Sequence, residues 1–199
     1  MMLHKFYPIV PDYPWLARIV PAGIKTIQLR LKDADQAEIL QQIEQSLKLC
    51  RDHDCQLIVN DYWQEAIQLG ADYIHLGQED LEAADLPTIK AAGLKLGLSS
   101  HSHEELDIAI AADPEYIALG PVYETTLKKM KWSPQGLDRL SEWKSRISCP
   151  LVAIGGITLE RSNAVWNAGA DSIAVVTDII ANPDPEKRIK EWLDSVRDL

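Results

Sequence analysis

The sequence predicts an α/β protein, a closed (β/α)8 TIM barrel folded as a single compact domain over residues 1–199. Three observations predict it. Eight short strand-like segments recur along the chain, separated by stretches with helical apolar spacing. The series opens on a strand and closes on a helix, and alternation of this kind implies a parallel sheet. The length of 199 residues suits one domain with a sizeable core, at the compact end for eight strand–helix units. An open doubly wound sheet is the alternative, but its GxGxxG fingerprint after the first strand is absent.

The first strand is YPIV (7–10). The second, TIQLRL (26–31), alternates Ile27, Leu29 and Leu31 with Gln28 and Arg30, and Lys32 continues the polar row. Period two marks a strand with two unlike faces. The segment 34–53 follows, with Ile39, Leu40, Ile43, Leu47 and Cys50 on one side of a helix. QLIVN (56–60) is the third strand and 62–71 a helix. YIHLG (73–77) precedes a helix over 86–93, and LKLGLSS (94–100) one over 103–112. YIALG (116–120) opens the longest loop, GPVYETTLKKMKWSPQG (120–136), before a helix over 136–147. PLVAIGG (150–156) leads to a helix over 159–170, and SIAVVT (172–177) to a short segment, DIIAN (178–182). A last helix covers 184–199. Gly70, Gly93 and Gly169 fall where helices should stop.

Composition narrows the function classes. The net charge of -10 argues against a nucleic-acid or membrane-surface partner, while leaving room for a local basic pocket. Cys50, Cys55 and Cys149 show no CxxC and no zinc spacing. An odd count without a secretion signal points to reduced thiols and a cytoplasmic location. No stretch is long and apolar enough to span a bilayer.

In a barrel the outward face of each strand is covered by helices. Ile27, Leu29 and Leu31 should then point outward, and Gln28, Arg30 and Lys32 inward, climbing to the C-terminal rim where such barrels place active sites. A buried structural ion-pair network is the competing account of those cations. Asn60 and Asp61 end the third strand, where Asp61 would otherwise serve only to cap a helix. Gln78, Glu79 and Asp80 follow the fourth, and Asp80 too could be a cap, for a helix starting at Leu81. Two carboxylates beside two cations suit Mg²⁺, which is usually held by one or two carboxylates plus substrate phosphates. His75 should face inward as a hydrogen-bonded core residue or a secondary substrate contact. Ser99 and Ser100 reach the rim, and Lys128 in the long loop is the lysine expected to reach phosphate. Gly155 and Gly156 let backbone N–H groups approach an anion, next to Val176 and Thr177 at the end of the eighth strand. The rim thus offers two anion sites, one cationic and metal-assisted, one built from backbone. Two such sites suggest two phosphorylated ligands, one of them losing a diphosphate with magnesium.

The motifs QLRLKD, NDYW, GADYIHLGQEDL, LGLSSH, YIALGPVY…TTLKK…PQGL, VAIGGI and AGADSIAVVT occur in order from end to end of the chain. In this the chain resembles the thiamine-phosphate synthase (thiamine-phosphate pyrophosphorylase) family. The resemblance implies a transferase of thiamine biosynthesis that couples hydroxymethylpyrimidine diphosphate with hydroxyethylthiazole phosphate, giving thiamine phosphate and pyrophosphate. It implies that the C–O bond to pyrophosphate breaks first and that the thiazole nitrogen traps the pyrimidine-stabilised carbocation. It further implies that Gln28, Arg30, Lys32, Asn60 and Lys128 hold the pyrimidine diphosphate, that Asp61 and Asp80 bind Mg²⁺, and that Ser99 contacts the pyrophosphate or orients the pyrimidine. Thr125, Gly156, Val176 and Thr177 would surround the thiazole phosphate. Arg30, Ser99 and Lys128 are the expected catalytic contacts. Relatives read Pro-Thr-x-Thr-Lys in the long loop, where this chain has Glu124-Thr125-Thr126-Leu127-Lys128, and end the eighth strand in serine, where it has Thr177. A thiazole-phosphate tautomerase-like relative and a non-catalytic phosphate-ligand sensor are the alternatives. Neither needs the full set of cations and carboxylates.

Overall fold

The structure is a computed structural model that describes residues 3–125, 132–197 and 199. Its strands are β1 (Phe6–Val10), β2 (Thr26–Leu29), β3 (Gln56–Asn60), β4 (Tyr73–Leu76), β5 (Lys95–Ser100), β6 (Tyr116–Leu119), β7 (Leu151–Ile154) and β8 (Ser172–Val175). Each pairs in parallel with the next, and β8 returns to β1, closing the barrel. The helices are α1 (Tyr13–Ile19), α2 (Gln36–Asp52), α3 (Trp63–Gln68), α4 (Gln78–Ala83), α5 (Leu86–Ala91), α6 (His103–Ala111), α7 (Gly136–Arg146), α8 (Ser162–Asn167), α9 (Thr177–Ile180) and α10 (Pro185–Ser195). No helix among the described residues is long and apolar enough to cross a membrane.

Two helices lie where apolar spacing predicts none. Helix α1 is short and buries only Leu16 and Ile19, too few for a period to show. Its local signal is capping: the Asp12 side chain accepts from the Trp15 N–H at 2.9 Å, and Pro14 sits in the first turn. Helix α4 begins at Gln78, because Gly77 supplies the extended N-cap backbone (φ -77°, ψ 173°) three residues before the expected start. Asp80 is therefore inside the first turn and is not a cap.

The core has two parts. Ile27, Leu29 and Leu31 pack outward with Ile39, Ile43 and Leu47 of α2, in one layer between strands and helices. Tyr7, Ile9, Ile58, Tyr73, Tyr116, Ala118, Val152 and Ala174 fill the barrel interior. Helix α10 covers β1, with the buried Trp192 ring stacked on Phe6 at 4.7 Å between centroids.

One row of the barrel interior positions the site. Register aligns Asn60, His75, Gly97 and Tyr116 across β3 to β6. Gly97 leaves the gap through which Tyr116 reaches His75: a Cβ there would lie 2.0 Å from Tyr116 Cζ. Tyr116 is fully buried and has nowhere to move. Gly97→Ala is expected to lower stability by about 1–3 kcal/mol, the usual cost of overpacking. Urea unfolding should show a lower midpoint at unchanged slope, and an unchanged midpoint would contradict this packing.

Candidate active site

The polar row of β2 leads into the site. Gln28 is buried, and its Nε2 donates to Asn60 Oδ1 at 3.0 Å. The Arg30 N–H donates to the Val10 carbonyl at 2.9 Å, so pairing extends one residue past the regular strand and fixes where that side chain emerges. Arg30 is half-buried and Lys32 exposed. Among the described residues neither takes part in an ion pair. A structural ion-pair network therefore does not account for these two cations.

Asp61 follows Asn60 in the left-handed region, φ +68°. Only a few per cent of residues other than glycine adopt it, at a cost of order 1–3 kcal/mol. The Asp61 N–H donates to the His75 carbonyl at 3.0 Å, which holds this turn against β4. The helix behind it, α3, has Tyr62 and not Asp61 at its N-cap position. Asp80 is exposed, and its Oδ2 folds back to 3.2 Å from where a Cβ on Gly77 would stand. The Tyr62 phenol pKa is raised, first by burial and then by the charges of Asp61, Glu65, Asp33 and Asp80. These carboxylates therefore all lie on the side of the barrel where Tyr62 stands. Among the described residues no three His, Cys, Asp or Glu side chains form a closed metal cage. Two carboxylates on an open rim instead suit a cation whose other ligands are water and substrate oxygens.

Ser99 stands near the end of β5. Its Oγ lies 2.8 Å from His75 Nε2, and His75 Nδ1 lies 2.9 Å from the Tyr116 hydroxyl. Burial first, then the charges of Arg30 and His101, push the His75 pKa down to about 4. A neutral imidazole has one donor and one acceptor nitrogen, so one hydroxyl donates to the ring and the other accepts from it. Gln78 Nε2 donates to the Ser99 carbonyl at 2.6 Å, tying α4 to the end of β5. Ser100 turns away: its hydroxyl donates to the Ala118 carbonyl and accepts from Trp143 Nε1. Sequence reading missed Tyr116, although its alternation with Ala118 places it on the inner face. Trp132 stacks on His101 at 6.2 Å. Lys128, with Thr126 and Leu127, lies outside the described residues.

The second cluster is built from main chain. Gly155 and Gly156 are left-handed, φ +95° and +65°. They accept the loop after β6 at close quarters, since a Cβ on Gly156 would lie 2.3 Å from the Glu124 carbonyl oxygen. The Val122 and Tyr123 N–H groups donate to the Ile154 and Gly155 carbonyls, both at 2.9 Å. Arg161 Nη1 donates to the Gly156 carbonyl at 2.7 Å, with its guanidinium 4.7 Å from the Tyr123 ring centre. This zipper brings the segment leading to Thr125 beside the glycine pair. Val176 and Thr177 lie at the end of β8, where α9 begins.

The thiamine monophosphate synthase family model matches residues 7–179. The chain belongs to the thiamine monophosphate synthase family. A thiamine-phosphate synthase of Rhizobium etli is 56% identical over 97% of this chain and 95% of its own length. One from Neisseria meningitidis serogroup A is 46% identical, covering 94% and 92%. Among solved structures, a thiamine phosphate pyrophosphorylase from Pyrococcus furiosus superposes with TM-score 0.86 at 28% identity, covering 97% of this chain and 95% of its own. In this member of the family the barrel rim carries the polar row of β2, the turn after β3, Ser99 and the glycine pair after β7.

His75 makes a prediction about acid. Its folded pKa of about 4 lies below its ordinary 6.5. Between these values the unfolded chain binds a proton that the folded chain refuses. His75 should therefore remove stability as pH falls from about 6.5 to about 4, by on the order of 3 kcal/mol in full. His75→Gln should flatten that part of the pH–stability curve. An NMR titration placing the folded His75 ring near its ordinary value would contradict this environment.

Proposed function

We propose that the chain couples hydroxymethylpyrimidine diphosphate with hydroxyethylthiazole phosphate, forming thiamine phosphate and releasing pyrophosphate in a Mg²⁺-dependent reaction. What supports this reading is a pair of differently built residue clusters on one rim. One has Arg30 and Lys32, which form no ion pair among the described residues, together with the carboxylates of Asp61 and Asp80; the other has glycine backbone and the end of β8. A diphosphate that leaves with a metal belongs in the first, and a phosphate monoester that stays intact belongs in the second.

In this reading Gln28, Arg30, Lys32, Asn60 and Lys128 bind the pyrimidine diphosphate, and Ser99 contacts its reacting end. Asp61 and Asp80 hold Mg²⁺. When bound, the ion neutralises diphosphate charge and so eases departure of pyrophosphate. Thr125, Gly156, Val176 and Thr177 surround the thiazole phosphate. The pyrimidine methylene–oxygen bond breaks, and its electron pair leaves on pyrophosphate. The thiazole nitrogen lone pair then forms the new C–N bond. No proton must move, so the site needs no nucleophilic side chain. It needs neutralised leaving-group charge and two partners held close together. Neutral His75 suits this task, because it orders the Ser99 hydroxyl without adding a charge.

The purified chain, given both substrates and Mg²⁺, should form thiamine phosphate and pyrophosphate in equal amounts, and chelation should stop both. Asp61→Asn should lower kcat/KM about 100-fold or more, in the range for removing one electrostatic contact to a transition state, while the fold persists. Binding of the diphosphate without turnover would favour a sensor, and full activity of Asp61→Asn would remove that residue from the metal site.

A further inference from the structure

Helix α9 begins at Thr177, and its second residue is an aspartate. Asp178 is the next residue along the chain from the second anion site. Its side chain is only 8% exposed, so water screens its charge poorly. A bare carboxylate in that position opposes the binding of a phosphate, and low local dielectric strengthens the repulsion.

The structure answers that charge from the C-terminal helix. Arg188 Nε and Nη2 donate to Asp178 Oδ2 and Oδ1 at 2.9 and 3.0 Å, a bidentate pair. Trp192 Nε1 donates to the same Oδ2 at 2.7 Å, and the Trp192 ring is anchored on Phe6 of β1. Arg188 is 12% exposed and also meets Glu160 and Glu191. Those two carboxylates are open to solvent, at 68% and 39%, and are better screened. Asp178 is the member of the cluster that is both desolvated and next in the chain to the anion site. Arg188 is its counter-charge, in a chain of net charge -10.

We propose that Arg188 is a positioning residue for the second anion site. It holds the Asp178 carboxylate in an ion pair with α10 and so keeps that charge from opposing the phosphate bound by Gly156, Val176 and Thr177. The inference rests on reading that site as the thiazole-phosphate cradle. Arg188 touches neither substrate. Its effect falls on affinity for the monophosphate, not on the diphosphate site across the barrel.

The sign of a charge effect separates this role from simple bracing. KM for each substrate and melting temperature would be measured on the full chain for Arg188→Gln, Arg188→Lys, Asp178→Asn and the Arg188→Gln/Asp178→Asn pair, with calorimetric titration of thiazole phosphate. Arg188→Gln is expected to raise the thiazole-phosphate KM about tenfold and to leave the pyrimidine-diphosphate KM within about twofold. Arg188→Lys, which keeps the charge, should stay near wild type. Asp178→Asn keeps an acceptor for Trp192 and should bind thiazole phosphate as tightly as wild type or more tightly. The double variant should recover most of the lost affinity even if its melting temperature falls. If Asp178→Asn weakens thiazole phosphate as Arg188→Gln does, or the double variant binds no better than Arg188→Gln, the pair only braces the fold and the inference is overturned. Should Arg188→Gln fail to fold, Asp178→Asn decides alone, because the two roles predict opposite signs. A wild-type chain that ignores thiazole phosphate while folded overturns the site assignment itself, and this inference with it.

Discussion

Closing a parallel sheet on itself buries both faces of every strand. From that constraint the rest of the molecule follows. An inward polar side chain is stabilised by a partner inside the barrel or by reaching past the last hydrogen-bonded residue to the rim. Gln28 takes the first course with Asn60, and His75 takes it with Tyr116 and Ser99. Arg30 and Lys32 take the second, and no carboxylate among the described residues pairs with them.

The electrostatics of the molecule run against its task. An acidic chain holding anionic ligands needs local arrangements that reverse its overall field. It uses three. The β2 row presents cations, the two left-handed glycines after β7 leave main chain uncovered by side chains, and α10 supplies an arginine against the desolvated carboxylate of Asp178. Neutral His75 belongs to the same economy, since hydrogen bonds arrange a hydroxyl there and no additional charge is buried.

Much of this was legible in the sequence. Alternation in TIQLRL gave both faces of β2, because one face packs on α2 and the other meets the interior. The Asn60–Asp61 junction was legible as a rim position, but its left-handed turn was not, since only the hydrogen bond to His75 reveals it. Apolar spacing did not show helices α1 and α4, whose only local signals were Asp12 with Pro14 and the glycine at the α4 N-cap, Gly77. The Gly97 gap and the Arg188–Asp178 pair stayed hidden for a different reason. Each joins residues distant in sequence or across strands, and their meaning comes only from register or from helix docking.

The zipper between the loops after β6 and β7 has a consequence for how this site can change. The approach to Thr125 is fixed by carbonyls and N–H groups of Val122, Tyr123, Ile154 and Gly155, and by the absence of side chains at Gly155 and Gly156. Backbone bonds of that kind are indifferent to which side chains follow. The side chains that follow Tyr123 can therefore vary while the chain still leaves the barrel at the same point. The side chains of the loop can drift under selection, and the backbone platform that carries them stays put.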